Sequence, residues 1–203
     1  VKLCPQAVFL KPDFPRYRTE SQRIFEIYRR FTPIIQPASL DEAYLDVTEH
    51  LGTFSSATDV ARAIRAQVLE ECGLTVSVGV GPNRLVAKIA SDFHKPDGLT
   101  VVRPERVQEF LDPLPVRRLH GVGPATEAAL HELGAHTIAD LRRLDRALLE
   151  RRFGRHGHGL WRFARGIDER PVRTHRVRKS LGHERTYAQD LTTLGAMDAE
   201  LER

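Results

Sequence analysis

Residues 74–102 read LTVSVGVGPNRLVAKIASDFHKPDGLTVV, and their hydrophobic pattern changes period twice. Leu74, Val76, Val78 and Val80 alternate with Thr75, Ser77 and Gly79, the period-two pattern of a half-buried strand. Gly81 turns the chain, and Pro82 suits the first position of a helix along which Leu85, Ile89 and Phe93 recur every fourth residue. Pro96-Asp97-Gly98 is a turn signal, and 99–102 reads as a short strand. Strand, helix and strand with short connections predict a sheet covered on one face by helices.

Towards the N-terminus, 19–31 reads as an amphipathic helix. Ile24, Ile27, Tyr28 and Phe31 share a face, and Thr19 and Gln22 stand at capping-box spacing. Pro33 and Pro37 break it and make 34–35 extended. Ala43, Leu45 and Val47 alternate with Tyr44, Asp46 and Thr48, a second half-buried strand. Ser56 or Thr58 can open the next helix, whose Val60, Ile64 and Val68 form a stripe. After Pro104 the strand pattern stops. Short helices are expected over 104–111, 116–119, 124–133, 138–143, 145–152 and 157–165, punctuated by glycines. The stretch IDERPVRTHRVRKS, 167–180, has no helical stripe and reads as an extended basic linker; 181–187 suits a strand, and 194–203 opens a helix. The fold class is therefore α+β: a sheet with helices, then a small all-helical unit.

Charge is unevenly spread. The chain of 203 residues has a net charge of +4, yet 1–102 is balanced, 103–180 holds 17 Lys/Arg against 10 Asp/Glu, and 181–203 is acidic. All the excess positive charge falls in the helical unit and linker, the footprint of a phosphate-backbone binder, although an arginine-rich solvated surface looks the same. No run of about 20 apolar residues exists to cross a membrane, and no signal-peptide pattern opens the chain. Cys4 and Cys72 lack metal-ligand spacing, so reduced thiols in a cytoplasmic protein are expected. The chain opens at Val1, not Met, so further sequence is expected before it.

Three constellations carry chemistry. Asp41 and Glu42 stand at the start of a strand in SLDEAYLDVT. Neighbours on a strand point to opposite faces, so both carboxylates reach one site only where the strand bends or a metal gathers them. Hard oxygen donors at a sheet edge suit magnesium with substrate phosphates; a solvated acidic pair is the plainer reading. Lys88 and Lys95 flank the end of the helix after the second strand, and Lys95 could reach a triphosphate as a point charge, or be a surface lysine beside a turn. LHGVGPATEAALHELG, 119–134, reads as a helix-hairpin-helix. Its Gly121-Val122-Gly123 turn permits positive φ, and the start of its second helix exposes N–H groups to a phosphate. His156 and His158 in GRHGHG lack further ligands at metal-site spacing and read as surface or packing histidines. No nucleophile-elbow pattern supports a hydrolase triad.

Taken in order, SLDEAYLDVT, SVGVGPNRLVAKIASDFHKPDG, LHGVGPAT and RVRKSLGHERT resemble successive motifs of the Y-family, or translesion, DNA polymerases. LCP at 3–5 and GIDER at 166–170 resemble the bacterial DNA polymerase IV branch of that family. The resemblance implies the end of the fingers in 1–14, a partial palm in 15–102 and a helix-hairpin-helix thumb in 103–168. It further implies a basic linker in 169–180 and the start of a little finger in 181–203. It implies template-directed, error-prone addition of deoxynucleotides to a primer, assisted by two Mg²⁺ ions. Asp41 would bridge the metals and Glu42 would ligate the catalytic one. Lys95 would hold the incoming deoxynucleoside triphosphate; Gly121, Val122 and Gly123 would meet a DNA strand through backbone amides; Arg176, Arg178 and Lys179 would lie along DNA phosphates. Primer-template DNA is the implied partner of a bacterial, cytoplasmic monomer. A sliding clamp would be met only through sequence beyond this chain. The family's first motif, with another metal-binding aspartate on the first palm strand, has no counterpart here, so the chain as written is expected to be inactive. Two other readings stand beside this one: a non-enzymatic helix-hairpin-helix DNA-binding module, and another palm-fold enzyme such as a nucleotidyl cyclase. The hairpin and basic linker argue against the cyclase, which needs no grip on DNA.

Overall fold

The computed structural model describes residues 3–175, 179–182 and 184–201. Helix α1 spans Phe14–Arg29 and starts earlier than the capping-box spacing predicts. Asp13 is its cap, accepting from Arg16 N–H at 3.1 Å, and Thr19 lies inside the helix with its hydroxyl on Pro15 O. Pro15 within the first turn needs no donor there, so it favours the earlier start. Strands β1, Ile35–Pro37, and β2, Ala43–Leu45, pair antiparallel, with Gln36 opposite Tyr44. Helix α2, Ala57–Cys72, begins on Ser56, whose hydroxyl accepts from Asp59 N–H at 3.2 Å.

The opening stretch forms a small parallel unit. Strand β3, Val78–Val80, leads into α3, Arg84–Ser91, and returns as β4, Leu99–Val101, parallel to β3 with Val78 opposite Leu99. The regular strand is shorter than the alternation over 74–80 suggests. The helix starts two residues after Pro82, because Asn83 caps it by accepting from Val86 N–H at 3.0 Å. Gly79 is where α3 lies against β3. A Cβ built there would stand 2.0 Å from Ala87 O, so only a bare backbone fits. Instead of one sheet, the described residues form two separate two-stranded pairs, since none of them bridges β2 to β3.

From 104 to 163 the regular elements are all helical, as patterned. Val107–Leu111 is α4, Pro124–Glu132 α5, Ile138–Arg143 α6, Arg146–Phe153 α7 and Arg155–Phe163 α8, with short 3₁₀ turns at Pro104–Arg106 and Val116–Arg118. A final helix, α9, covers Leu194–Leu201. The strand expected over 181–187 is not formed among its described residues, which lie beside no partner strand.

Two apolar clusters form among the described residues. Ile27, Phe31, Val60, Ile64 and Val68 join α1 to α2. The larger cluster runs from Leu85, Val86 and Ile89 of α3 through Leu111, Leu130 and Leu141 to Leu160. Helix α3 therefore belongs to the core of the helical unit as well as to the β3–β4 pair.

Candidate functional site

A cleft of about 1160 Å³ opens between the two strand pairs, lined by Leu45 and Val47 on one side and Val76 and Val78 on the other. Asp41, Glu42, Lys88 and Lys95 all border it. The acidic pair is positioned by a hairpin. Residues 38–42 connect β1 to β2, closed by Ala38 N–H on Glu42 O at 2.8 Å and tied to α1 by Ser21 Oγ on Leu40 O at 2.5 Å. Because Asp41 and Glu42 precede the paired residues of β2, strand alternation does not force them onto opposite faces. Ser39 Oγ donates to Asp41 Oδ1 at 2.5 Å, holding that carboxylate in the turn.

Glu42 does not stand alone. Its Oε1 is 2.7 Å from Lys88 Nζ, which also lies 3.3 Å from Asp92 Oδ2; Asp92 Oδ1 in turn is 2.5 Å from Lys95 Nζ. Four alternating charges thus run from the hairpin along the end of α3. Burial pushes the Lys88 ammonium down, but Glu42 and Asp92 outweigh it and leave its pKa above the ordinary lysine value. Burial likewise pushes Asp92 up, and the two lysines more than reverse it. Sequence reasoning weighed Lys88 and Lys95 and passed over Asp92. The signal was the i,i+4 spacing of Lys88 to Asp92 and the i,i+3 spacing of Asp92 to Lys95.

As a metal site the pair is right in kind and short in number. Magnesium takes one or two carboxylates together with substrate phosphates, and Asp41 and Glu42 are such donors. Among the described residues, no group of three His, Cys, Asp or Glu side chains could hold an ion.

The hairpin of the helical unit forms between the Val116–Arg118 turn and α5. Gly121 has φ 91°, a conformation that side chains with a Cβ seldom adopt, whereas Gly123 sits at φ −90° as an ordinary helix cap. Positive φ is therefore required at one glycine of the two. Val122 anchors the turn: its N–H donates to Leu119 O at 3.1 Å and its side chain packs on the helical core. Gly121 and Gly123 are the exposed members. Of the linker candidates, Arg176 and Arg178 lie outside the described residues, and Lys179 is exposed.

The start of the linker returns to the strand region. Asn83 Nδ2 donates to Gly166 O at 2.8 Å, and Arg173 N–H to Gln36 Oε1 at 2.8 Å. The Arg84 guanidinium stacks 4.5 Å from the Tyr44 ring centre, next to the acidic hairpin. Asp168 is buried and receives Arg170 Nε and Nη2 at 2.6 and 2.8 Å. These joints were not foreseen, since residues 83 and 166 meet only once the helical unit has folded.

Comparisons with known proteins agree with this arrangement. The impB/mucB/samB family matches residues 1–92, and the IMS family HHH motif matches 104–135. DNA polymerase IV of Gluconobacter oxydans is 51% identical over 192 residues, 95% of this chain and 54% of that protein. DNA polymerase IV of Ralstonia nicotianae is 50% identical over 201 residues, 99% of this chain and 56% of its own. DinB from Sulfolobus solfataricus superposes with a TM-score of 0.77 at 35% identity, covering 84% of this chain and 51% of the other. An insertion ternary complex of Dbh DNA polymerase gives 0.77 at 36% identity, covering 84% of this chain and 50% of that one. The chain spans about half the length of the curated relatives it matches. With its motifs in family order and relatives at half identity along nearly its whole length, the chain belongs to the Y-family of DNA polymerases.

Proposed function

We propose that this chain supplies palm and thumb elements to a template-directed translesion DNA polymerase. The observation that carries this reading is the cleft in which Asp41 and Glu42 face Lys88 and Lys95. Asp41 and Glu42 would hold Mg²⁺, which when bound supplies Lewis-acid stabilisation of charge during nucleotidyl transfer. Lys95, exposed at the cleft mouth and steadied by Asp92, would take the triphosphate of an incoming deoxynucleotide. Lys88 would hold the Glu42 carboxylate in place until a cation replaces it. The exposed Gly121 and Gly123 amides, with Val122 fixing the turn, would grip a strand of the primer-template, and Arg176, Arg178 and Lys179 would follow its phosphates. The domain limits that go with this reading are a palm over 15–102, a thumb over 103–168 and a linker over 169–180.

Because two carboxylates make only part of a two-ion site, this chain alone is expected to bind primer-template DNA without extending the primer. That favours DNA binding without catalysis for the isolated polypeptide. Primer extension with Mg²⁺ and four deoxynucleotides, run beside an Asp41→Ala, Glu42→Ala variant, tests it. Binding without extension supports the reading; extension lost in the variant would show that two carboxylates suffice.

A further inference from the structure

Apart from Arg165, which lies over the Trp161 ring, the arginines of the helical unit divide into two sets. Arg106, Arg142, Arg143, Arg146, Arg152 and Arg162 each pair with a carboxylate. Among the described residues, Arg103, Arg117, Arg118, Arg151 and Arg155 have no such partner, and all five are exposed. Arg117 and Arg118 lead directly into the Gly121 hairpin.

A further unpaired cation, Arg155, opens helix α8, whose next residue, His156, comes to the hairpin from elsewhere in the sequence. Helix α8 packs so closely on α7 that a Cβ at Gly157 would stand 2.0 Å from Leu149 O. This contact fixes where α8 begins. It sets His156 beside the hairpin, where a Cβ on Gly121 would come within 3.2 Å of His156 Nε2. His158, one residue beyond Gly157, turns away to Glu150 Oε1 at 3.2 Å. His156 stays exposed against the hairpin and Arg155, its chain neighbour, is exposed as well; both lie outside the segment 104–135 that the helix-hairpin-helix family matches.

We infer that Arg155 and His156 form a second arm of the DNA-binding surface, continuous with Arg117, Arg118 and the Gly121 turn, and that this arm takes a backbone phosphate of duplex DNA. The inference rests on the proposed DNA-binding role of the hairpin and extends it to a helix not part of that motif. An arginine without a carboxylate partner is free to displace a counterion from DNA, whereas a paired one must first give up its partner. The contact is to phosphate, so it carries no base preference.

The test is the salt dependence of primer-template binding by the full 203-residue chain, read as anisotropy of a labelled duplex. Each lost phosphate contact lowers the slope of log K against log salt by about 0.9, or about threefold less loss of affinity between 50 and 200 mM salt. Arg155→Ala and Arg118→Ala are each expected to lower the slope by about that amount. Arg143→Ala, which removes a cation paired to Asp140, is expected to leave it unchanged. His156→Ala is expected to weaken binding at all salts. Circular dichroism of each variant checks that the helices persist. A slope lowered by Arg118→Ala but not by Arg155→Ala overturns the second arm and leaves the hairpin's role standing. Salt-independent or undetectable binding by the parent chain overturns the DNA-binding reading itself.

Discussion

Asp168 is the one acidic side chain among the described residues whose carboxylate is almost fully covered, at 1% exposure, and its partner Arg170 stays half in water. Burial pushes the Asp168 carboxyl up, while the Arg170 bonds and charge outweigh it and hold it below the usual range. A carboxyl depressed in the folded state adds stability above its unfolded pKa of about 3.9, and that stability is lost as pH falls through the lower folded value. Asp168→Asn keeps the shape and removes the charge. Removing one partner of a fully buried pair costs about 3–5 kcal/mol; with Arg170 free to return to water, about 1–2 kcal/mol is expected at pH 7. Urea midpoints at pH 7 and pH 3 should show the gap between parent and variant narrowing at the lower pH. A gap that does not narrow would mean that the ion pair is not what Asp168 contributes.

Helix α3 shows how one element serves two neighbours. Asn83 caps it through Oδ1 and ties Gly166 through Nδ2, so two substitutions separate the functions. Asn83→Asp keeps the cap and loses the donor to Gly166. Asn83→Ala loses both, and the cap alone is worth about 1 kcal/mol. Thermal unfolding should therefore rank parent, Asn83→Asp, Asn83→Ala in falling order; equal losses would show that the Gly166 bond is the whole effect. Gly79→Ala is expected to be worse than either, because the obstruction is backbone, Ala87 O and Ser91 N, and cannot swing aside. Overpacking of this kind costs about 1–3 kcal/mol or more, and loss of soluble protein is the outcome to expect.

Across the whole molecule the two apolar clusters predict two responses. Leu111 and Val68 are both fully buried, the first in the α3–α8 cluster and the second between α1 and α2. Trp161, the sole tryptophan, packs against the first cluster and reports on it. Leu111→Ala is expected to lower the unfolding free energy that its fluorescence reports by about 2–5 kcal/mol, whereas Val68→Ala is expected to move that transition little while loosening α1 and α2. Equal shifts in both variants would mean that the clusters unfold as one.

The sequence by itself determined the helices and the kind of chemistry. Apolar spacing, capping residues and turn glycines are local, so α2, α6 and the hairpin around Gly121 were legible within a few residues. The acidic pair and Lys95 were legible as residue types near element ends. Tertiary structure decided what those types meet. It placed Lys88 on Glu42 across 46 residues and Asn83 on Gly166 across 83, and it set His156 against Gly121. It also decided that Gly79 admits a helix and that the strands form two pairs. Contacts of that range depend on how packed elements stack in space, which hydrophobic period and turn chemistry along the chain do not encode.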